Sequence, residues 1–372
     1  MRKTFRYRLL GSKTTFANAE RWLDLCRNLY NAALEERITA YASRRMTLSC
    51  YSQMKELPEL KVTFPEYRDV DAQTLQEVLA RLDRAYDGFF RRLHSKEKAG
   101  FPRFKSKQRY DSFTLKQNSW QLNGKHLSIG KVGRFKLRLS RPIEGVIKTI
   151  TIRRSAATKW YVSFSCDQVP EKRLPKTDKA VGIDVGISSF LTDSWGNKIE
   201  NPAYFCKAQA LLRRRQRRLA RRVRGSQGRR KARILVAKAH EKVGNQRKDF
   251  LHNTANQYVQ NYGLIAIENL NVQGMVRNHH LAKSISDVSW MLFFRLLSYK
   301  AEDADRVVVK VPLFEPTSKT CSECGGINAD LKLSNRTWVC QSCGAVHDRD
   351  FNAAKNILRV GQTLQESTYA SR

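Results

Sequence analysis

Acidic residues are scarce in this chain. There are 34 Asp and Glu against 69 Lys and Arg in 372 residues, a formal net charge of +35. Self-repulsion on that scale opposes a compact state, so a polyanionic partner is expected. A merely solvated surface or an anionic lipid would also accept basic residues. Here, however, Lys and Arg cluster in separate regions beside aromatics, which points to nucleic acid. Long apolar runs are missing as well. None approaches the roughly 20 residues of a membrane-spanning helix, so no membrane partner is expected. The first ten residues, Met1-Arg-Lys-Thr-Phe-Arg-Tyr-Arg-Leu-Leu10, alternate like a strand without a long apolar stretch, so no secretory leader is expected. No internal repeat is visible, and no helix-turn-helix or tandem-finger reader of base sequence is recognisable. A hydrophobic fraction of 41% with 10% aromatics excludes a disordered chain.

Eight cysteines are present, and they divide into two sets. Cys26, Cys50, Cys166 and Cys206 are scattered. Cys321-Ser-Glu-Cys324 and Cys340-Gln-Ser-Cys343 are two CxxC pairs, each followed by glycine, at 325 and 344. Disulfides or a redox pair are alternatives, but the spacing and an expected reducing cytosol favour four thiolates around zinc. Such a site is closed, so the metal is structural and supplies folding energy that a module of about 30 residues lacks. Histidines such as His252 read as structural, and His347 as a neighbour that orients the cysteine site.

Periodicity gives the remaining organisation. Residues 1–10 read as a strand with Phe5, Tyr7 and Leu9 on one face. Helices follow at 14–43, with Trp22, Leu25, Leu29, Ile38 and Tyr41 as the stripe, and at about 71–95, from Leu75 to Phe89, Phe90 and Leu93. Strand signals dominate to about residue 168, with Asn123-Gly124 as a hairpin turn. They suggest a small β-barrel completed by the N-terminal strand, with the helical region inserted after strand one. Residues 169–177 read as a linker. The segment 207–248 holds 17 Lys or Arg against one acid, Glu241. It reads as a helical hairpin split at Gly225-Ser-Gln-Gly228, with Leu211, Leu212, Leu219 and Val223 as a seam. Internal ion pairs cannot explain so basic a face, and a phosphate backbone would neutralise it. Strands are expected at 181–184, 189–192, 263–268 and 307–312, helices at 249–261, 285–303 and 350–360, and a loose tail after Gly361.

Three acids stand out by position. Asp184 interrupts Ala180-Val-Gly-Ile-Asp-Val-Gly-Ile187, Glu268 ends Leu264-Ile-Ala-Ile-Glu268, and Asp350 opens an Ala-rich helix. A carboxylate inside an apolar strand is costly to bury unless it is paired or metal-bound. Gly182 and Gly186 permit close approach of backbone or substrate. Helix capping is the plain alternative for Asp350. The ordered set of strand Asp, strand Glu and helix-start Asp is that of an RNase H-like nuclease. Magnesium suits it, being held by few carboxylates plus water and phosphate. Phe101, Phe104 and Tyr110 lie among Arg103, Lys105, Lys107 and Arg109. That pattern either stacks on bases or anchors a loop.

The set Gly182-Ile-Asp-Val-Gly-Ile187, Ala266-Ile-Glu-Asn-Leu270, the two CxxC pairs and His347-Asp-Arg-Asp-Phe-Asn-Ala-Ala-Lys-Asn-Ile357 resembles the TnpB proteins of bacterial insertion sequences. These are relatives of compact type V CRISPR effectors and of Fanzor proteins. Tyr30-Asn-Ala-Ala-Leu34, Gly100-Phe-Pro-Arg-Phe-Lys105 and Ser284-Ile-Ser-Asp-Val-Ser-Trp290 extend the likeness over nearly the whole chain. The resemblance implies an α/β multidomain RNA-guided DNA endonuclease with one RuvC-like site. Barrel residues 1–10 and 108–176 would form a wedge domain, 11–107 a helical recognition domain, and 177–372 the nuclease. The nuclease would carry the hairpin 205–248 and a zinc ribbon 315–346. Asp184, Glu268 and Asp350 fall on the catalytic carboxylates and magnesium ligands, with Asp348 a neighbour, and Cys321, Cys324, Cys340 and Cys343 on the zinc ligands. Arg213, Arg214, Arg217, Arg218, Arg221 and Arg222, with Phe101, Arg103, Phe104 and Lys105, are the expected nucleic-acid contacts. Tyr51, Gln73, Gln76 and Thr114 are candidate readers of a short adjacent motif. The implied partners are a transposon-derived guide RNA and double-stranded DNA, bound by one protein copy in the cytoplasm, on the nucleoid when engaged. Guided repression without cleavage, or an RNA-binding accessory role in transposition, are the alternatives.

Overall fold

The computed structural model describes residues 1–370 apart from 117, 280, 314 and 333. It divides into two compact units, residues 1–170 and 171–372. In the first, β1 (Lys3–Leu10) buries Phe5, Tyr7 and Leu9 and turns the intervening residues outward. The chain then leaves the sheet for α1 (Lys13–Arg44), α2 (Cys50–Lys55), α3 (Leu57–Thr63) and α4 (Ala72–His94). Ser12 starts α1 by accepting the Thr15 N–H at 3.0 Å, and Asp71 starts α4 by accepting that of Thr74 at 3.0 Å. Pro58 sits in the first turn of α3, where a missing N–H costs nothing. Arg37 ties the helices together. Its guanidinium donates to Gln53 of α2 at 2.8 Å and to Asp83 of α4 at 3.0 Å.

Six strands follow: β2 (Ser112–Leu115), β3 (Trp120–Asn123), β4 (His126–Ile129), β5 (Gly133–Arg138), β6 (Val146–Arg154) and β7 (Trp160–Asp167). They join β1 in one antiparallel sheet of order β2-β6-β7-β1-β5-β4-β3. The N-terminal strand is therefore central, with Phe5 opposite Phe164 and Leu9 opposite Leu137. The helices are an insertion between β1 and β2, as the sequence suggests. Closure into a barrel is not seen, since no ladder joins β2 to β3 among the described residues. Both edges still feed one core, with Trp120 of β3 facing Phe164 of β7 at 6.4 Å. The expected helical stripes are too long. Ile38, Tyr41, Phe90 and Leu93 are exposed, because α1, at 32 residues, runs roughly 48 Å and α4 likewise outreaches the core.

The second unit begins with β8 (Ala180–Val185), β9 (Ser189–Asp193) and β10 (Lys198–Glu200). Next come α5 (Tyr204–Ala220), α6 (Gln227–Asn261), β11 (Leu264–Ile267), α7 (Val272–Met275), α8 (Ala282–Val288), α9 (Trp290–Asp303) and β12 (Val307–Lys310). A small hairpin of β13 (Thr337–Val339) and β14 (Val346–Asp348) precedes α10 (Arg349–Ala370). The main sheet runs β10-β9-β8-β11-β12, with β8, β11 and β12 parallel and the β8-β9-β10 side antiparallel. All four residues of β11 are buried, as befits a parallel strand covered on both faces. Leu251, Ala255 and Val259 of α6 and Phe293 and Leu297 of α9 pack with Val181, Ile183 and Ile265. Ile357 of α10 packs with Ala266 of β11.

Several boundaries differ from the sequence reading. The unit boundary falls at 170/171, ahead of the expected 176/177. The linker belongs to the second unit because Leu174 N–H bonds Ala304 O at 3.1 Å and Arg306 bonds Pro175 O at 2.8 Å. The hairpin's second arm does not stop at 248 but continues to Asn261 as one 35-residue helix. Val223 is exposed at the hairpin tip rather than in the seam, where Leu212 is buried. The helix expected over 285–303 is broken at Ser289, whose φ is 60°. The tail after Gly361 is not loose but completes α10. Among the described residues no helix is long and apolar enough to cross a membrane.

Two glycines set how closely α10 lies on the sheet. A Cβ on Gly182 of β8 would sit 2.1 Å from the Ala354 carbonyl oxygen, and one on Gly361 of α10 would sit 2.4 Å from the Ala266 Cβ. Gly182→Ala should therefore push α10 outward, costing about 1–3 kcal/mol and lowering Tm by several degrees. Gly244→Ala, in the open middle of α6, should be neutral or stabilising by up to ~1 kcal/mol. Thermal denaturation of the two variants checks the contrast.

Candidate active site and metal centre

Parallel pairing sets Ile183 against Ile267, so the next residues, Asp184 and Glu268, emerge side by side from neighbouring strands. The carboxyls hydrogen-bond to one another. The close contact at Gly182 brings the first turn of α10, and with it Asp350, to the same edge. Each of the three is half-buried. Burial, then the Glu268 and Asp350 charges, drives the Asp184 carboxyl well above the usual range. Burial also raises Glu268, against the hydrogen bonds from Asp184 and Thr317. Like charges held this close disfavour ionisation of both carboxyls unless a positive group neutralises them.

Asp348 and Asp350 have separate tasks. Asp348 accepts the Phe351 N–H at 3.0 Å, capping α10, and pairs with Lys198 at 2.7 Å. That capping role leaves Asp350 to face Asp184. Arg349 pairs with Asp350 at 3.0 Å, and Arg336 approaches it at 3.6 Å. Thr317 donates its hydroxyl to Glu268 at 3.4 Å. The sequence reading missed Thr317, Arg336 and Arg349. Only Arg349 carried a signal, its place between two aspartates.

The cysteines meet as expected. All four sulfur atoms lie within 4.8 Å of one another, with Cys321–Cys343 at 3.7 Å and Cys324–Cys340 at 3.6 Å. Four sulfurs bound tetrahedrally at 2.3 Å would be about 3.8 Å apart, so the donor set fits zinc. Two matching turns build it. Cys321 O accepts from Gly325 N at 3.0 Å and Cys340 O from Gly344 N at 2.9 Å, with φ of 78° and 73° at the glycines. Backbone N–H groups of Cys343, then Ser342, hold the Cys340 thiol down to about 6, while Cys343, against the Ala345 N–H, is pushed up to about 12 by Cys324 and the other thiols. Buried His347 places Nε2 3.0 Å from Cys321 Sγ and lies tilted against the Trp338 ring, centroids 4.7 Å apart. Burial keeps it below the usual histidine range, hence neutral and able to donate to that sulfur.

The six expected hairpin arginines, from Arg213 to Arg222, line one groove of about 920 Å³ along α5. The N-terminus of α5 follows left-handed Ala203 and lacks a cap of its own. Buried Asp287 of α8 supplies one, accepting the Phe205 N–H at 3.0 Å while pairing with Arg247 of α6 at 2.7 Å. In the first unit Phe101, Arg103, Phe104 and Lys105 share another groove, of about 490 Å³. Tyr110 is buried against Tyr30, so it anchors the loop and does not stack on bases. Tyr51 is exposed on α2, while Gln73 and Gln76 are half-buried on the first turns of α4. The Thr114 hydroxyl is taken by Thr151 at 3.0 Å.

A family model described as "Probable transposase" matches residues 163–279, and one described as "Cas12f1-like, TNB domain" matches 290–357. A third, described as "Helix-turn-helix domain", matches 1–46. In this chain that stretch folds as β1 and the single long α1. A protein of Streptomyces pristinaespiralis, provisionally named an RNA-guided DNA endonuclease, is 35% identical over 97% of this chain and 90% of its own length. A protein of Escherichia coli K12, provisionally named RNA-guided DNA endonuclease InsQ, is 29% identical over 97% and 93%. Among solved structures, that of the mini-RNA-guided endonuclease CRISPR-Cas_phi3 shares the fold with a TM-score of 0.51 at 9% identity, covering 97% of this chain and 92% of that one.

The raised carboxyls make a signed prediction. A raised folded value contributes stability that is complete below the ordinary range and lost as pH rises through the raised value. Without magnesium, Asp184→Asn removes that loss. Its Tm should exceed that of the natural protein by a few degrees near about pH 8, with the gap closing toward about pH 4. A gap independent of pH would show that the carboxyls do not strain the fold. Cys340→Ser should lose its zinc, read by metal analysis of protein purified under reducing conditions.

Proposed function

The chain belongs to the TnpB family, and from that membership we propose that it is an RNA-guided DNA endonuclease that cuts by phosphodiester hydrolysis at one RuvC-like site. The observation that carries the catalytic assignment is the meeting of Asp184, Glu268 and Asp350 at the open ends of two parallel strands under α10. In this reading the β8–β12 sheet with α10 is the nuclease core, the first unit supplies wedge and recognition parts, and the cysteine module is a zinc ribbon. The three carboxylates would hold magnesium, which supplies an activated water and a stabilised leaving oxygen when bound. Thr317 orients the Glu268 carboxyl through its hydroxyl. Arg349 and Arg336 neutralise Asp350 when no cation does so.

The arginine face of α5 binds phosphates without reading bases, which suits a protein whose sequence choice is delegated to a guide. One protein copy takes a transposon-derived RNA, and Tyr51, Gln73, Gln76 and Thr114 are proposed to read a short duplex motif next to the target. Of these, Thr114 is the weakest, its hydroxyl being already paired. Guided repression without cleavage is disfavoured because all three carboxylates converge. Strand joining, which the word transposase implies, is not proposed.

Asp184→Ala, Glu268→Ala and Asp350→Ala should each abolish magnesium-dependent cleavage while leaving guided DNA binding intact. Asp348→Ala should instead cost about 1 kcal/mol of stability, the worth of a helix cap, and retain cleavage. An inactive Asp348→Ala beside an active Asp350→Ala would reverse the assignment. Replacing the variable end of the co-purifying RNA should redirect cutting to the matching site. RNA-free protein cutting a defined sequence equally well would refute guidance.

A further inference from the structure

The groove between the C-terminal half of α4 and residues 100–109 combines charge and open aromatic surface in an unusual way. It is lined by Arg84, Arg91, Arg92, Arg103, Lys105 and Arg109, with no acid among its lining residues. Arg84 is occupied by Glu77, but no carboxylate pairs with Arg91, Arg92, Arg103 or Arg109 among the described residues. Two phenylalanines stand in this cationic setting, Phe101 at 46% and Phe104 at 53% exposure. Phe101 is braced edge-on by Tyr86 at 5.5 Å and Phe89 at 5.3 Å. Phe104 has no ring partner among the described residues.

The loop that presents Phe104 is fixed. Lys105 N–H donates to Asn31 Oδ1 at 2.7 Å, and Asn31 Nδ2 donates back to Lys105 O at 3.0 Å. Both backbone groups of the residue next to Phe104 are thus held by one side chain of α1, and its ordering is settled before any ligand arrives. A lone exposed ring is ordinary on a protein surface, but an open ring on a fixed loop among unpaired cations matches a base-stacking platform. A duplex backbone would use the cations alone, as the aromatic-free arginine face of α5 can. Only an unpaired base uses the ring too.

We propose that this groove seats an unpaired segment of RNA, with Phe104 as the platform on which one base stacks and the surrounding arginines holding its phosphates. The inference rests on the guided reading above, because the strand such a protein holds unpaired before it meets DNA is its guide.

Ultraviolet irradiation of the protein as purified with its RNA, followed by mass spectrometry, tests it. A nucleotide adduct is expected on the peptide carrying Phe101 and Phe104 before any DNA is added, at an unpaired position of the RNA. An adduct that is absent, appears only after target DNA is added, or maps to a paired nucleotide would overturn the proposal. Phe104→Ala, at an exposed site, should weaken RNA binding on the order of tenfold with no change in the log–log salt slope, because stacking releases no counterions. Arg91→Gln should lower that slope by about 0.7. An unaltered affinity in Phe104→Ala, or a slope change there, would also overturn it. Guided cleavage by the same preparation is scored separately. Cleavage without an adduct rejects this seat alone, and an adduct without cleavage rejects the endonuclease reading alone.

Discussion

The candidate site depends on one helix–sheet contact. The backbone of α10 rests on Gly182, and Gly361 lets the same helix close down on Ala266. Any side chain at the first position would meet a carbonyl oxygen, which has nowhere to go inside a hydrogen-bonded helix. That contact fixes the height of α10, and the Asp348 cap fixes where the helix begins. Asp350 is two residues further on, so its position follows from both. The alanines at 353 and 354 are buried in the same contact, where larger side chains would lift the helix away.

What the contact assembles is electrostatically unfavourable by itself. Three carboxyls are brought together in a half-enclosed setting, and the protein without cations answers with a raised Asp184, a raised Glu268 and two arginines on Asp350. Perturbed carboxyls of this kind concentrate at functional sites. Elsewhere the imbalance has the opposite sign. The arginines of α5 cannot neutralise one another, and the helix is held in place by buried Asp287, which caps its first turn and pairs with Arg247. Acids are few in this chain, and several of those present hold the basic hairpin or the helix of the candidate site in place.

Much of this was legible in the residues. The alternation of β1, the two CxxC turns, the arginine face and the three acids each follow from a local pattern, and the structure brings each group together. Failures came where tertiary contacts override pattern. Periodicity marks a stripe but not where the core ends, so Ile38, Tyr41, Phe90 and Leu93 were expected inside and lie outside. Composition marked 249 as a new helix because the charge density drops there, yet the backbone has no reason to stop until Asn261. Tyr110 looked like its neighbours Phe101 and Phe104, and only the packing against Tyr30 distinguishes an anchor from a platform. Thr317 and Arg336 carried no signal, and Asp287 stood in a family motif without its capping role being visible, since these roles depend on residues far away in sequence.

The placement of the cysteine module between β12 and α10 has a mechanical consequence. The segment from Thr317 to Ser322 enters the first CxxC turn, and α10 grips it with two buried asparagines. Asn352 donates to Thr320 O at 2.7 Å and accepts the Ser322 N–H at 2.8 Å. Asn356 donates to Thr317 O at 2.8 Å. The hydroxyl of the same Thr317 reaches Glu268. One end of this strap is therefore tied to the cysteine cluster, and the other to a carboxylate of the candidate site. Loosening of the cysteine cluster would free the turns at Cys321, and the slack would pass through Thr317 to Glu268. The cysteine cluster and the carboxylate site are in this way tied through one short segment of backbone.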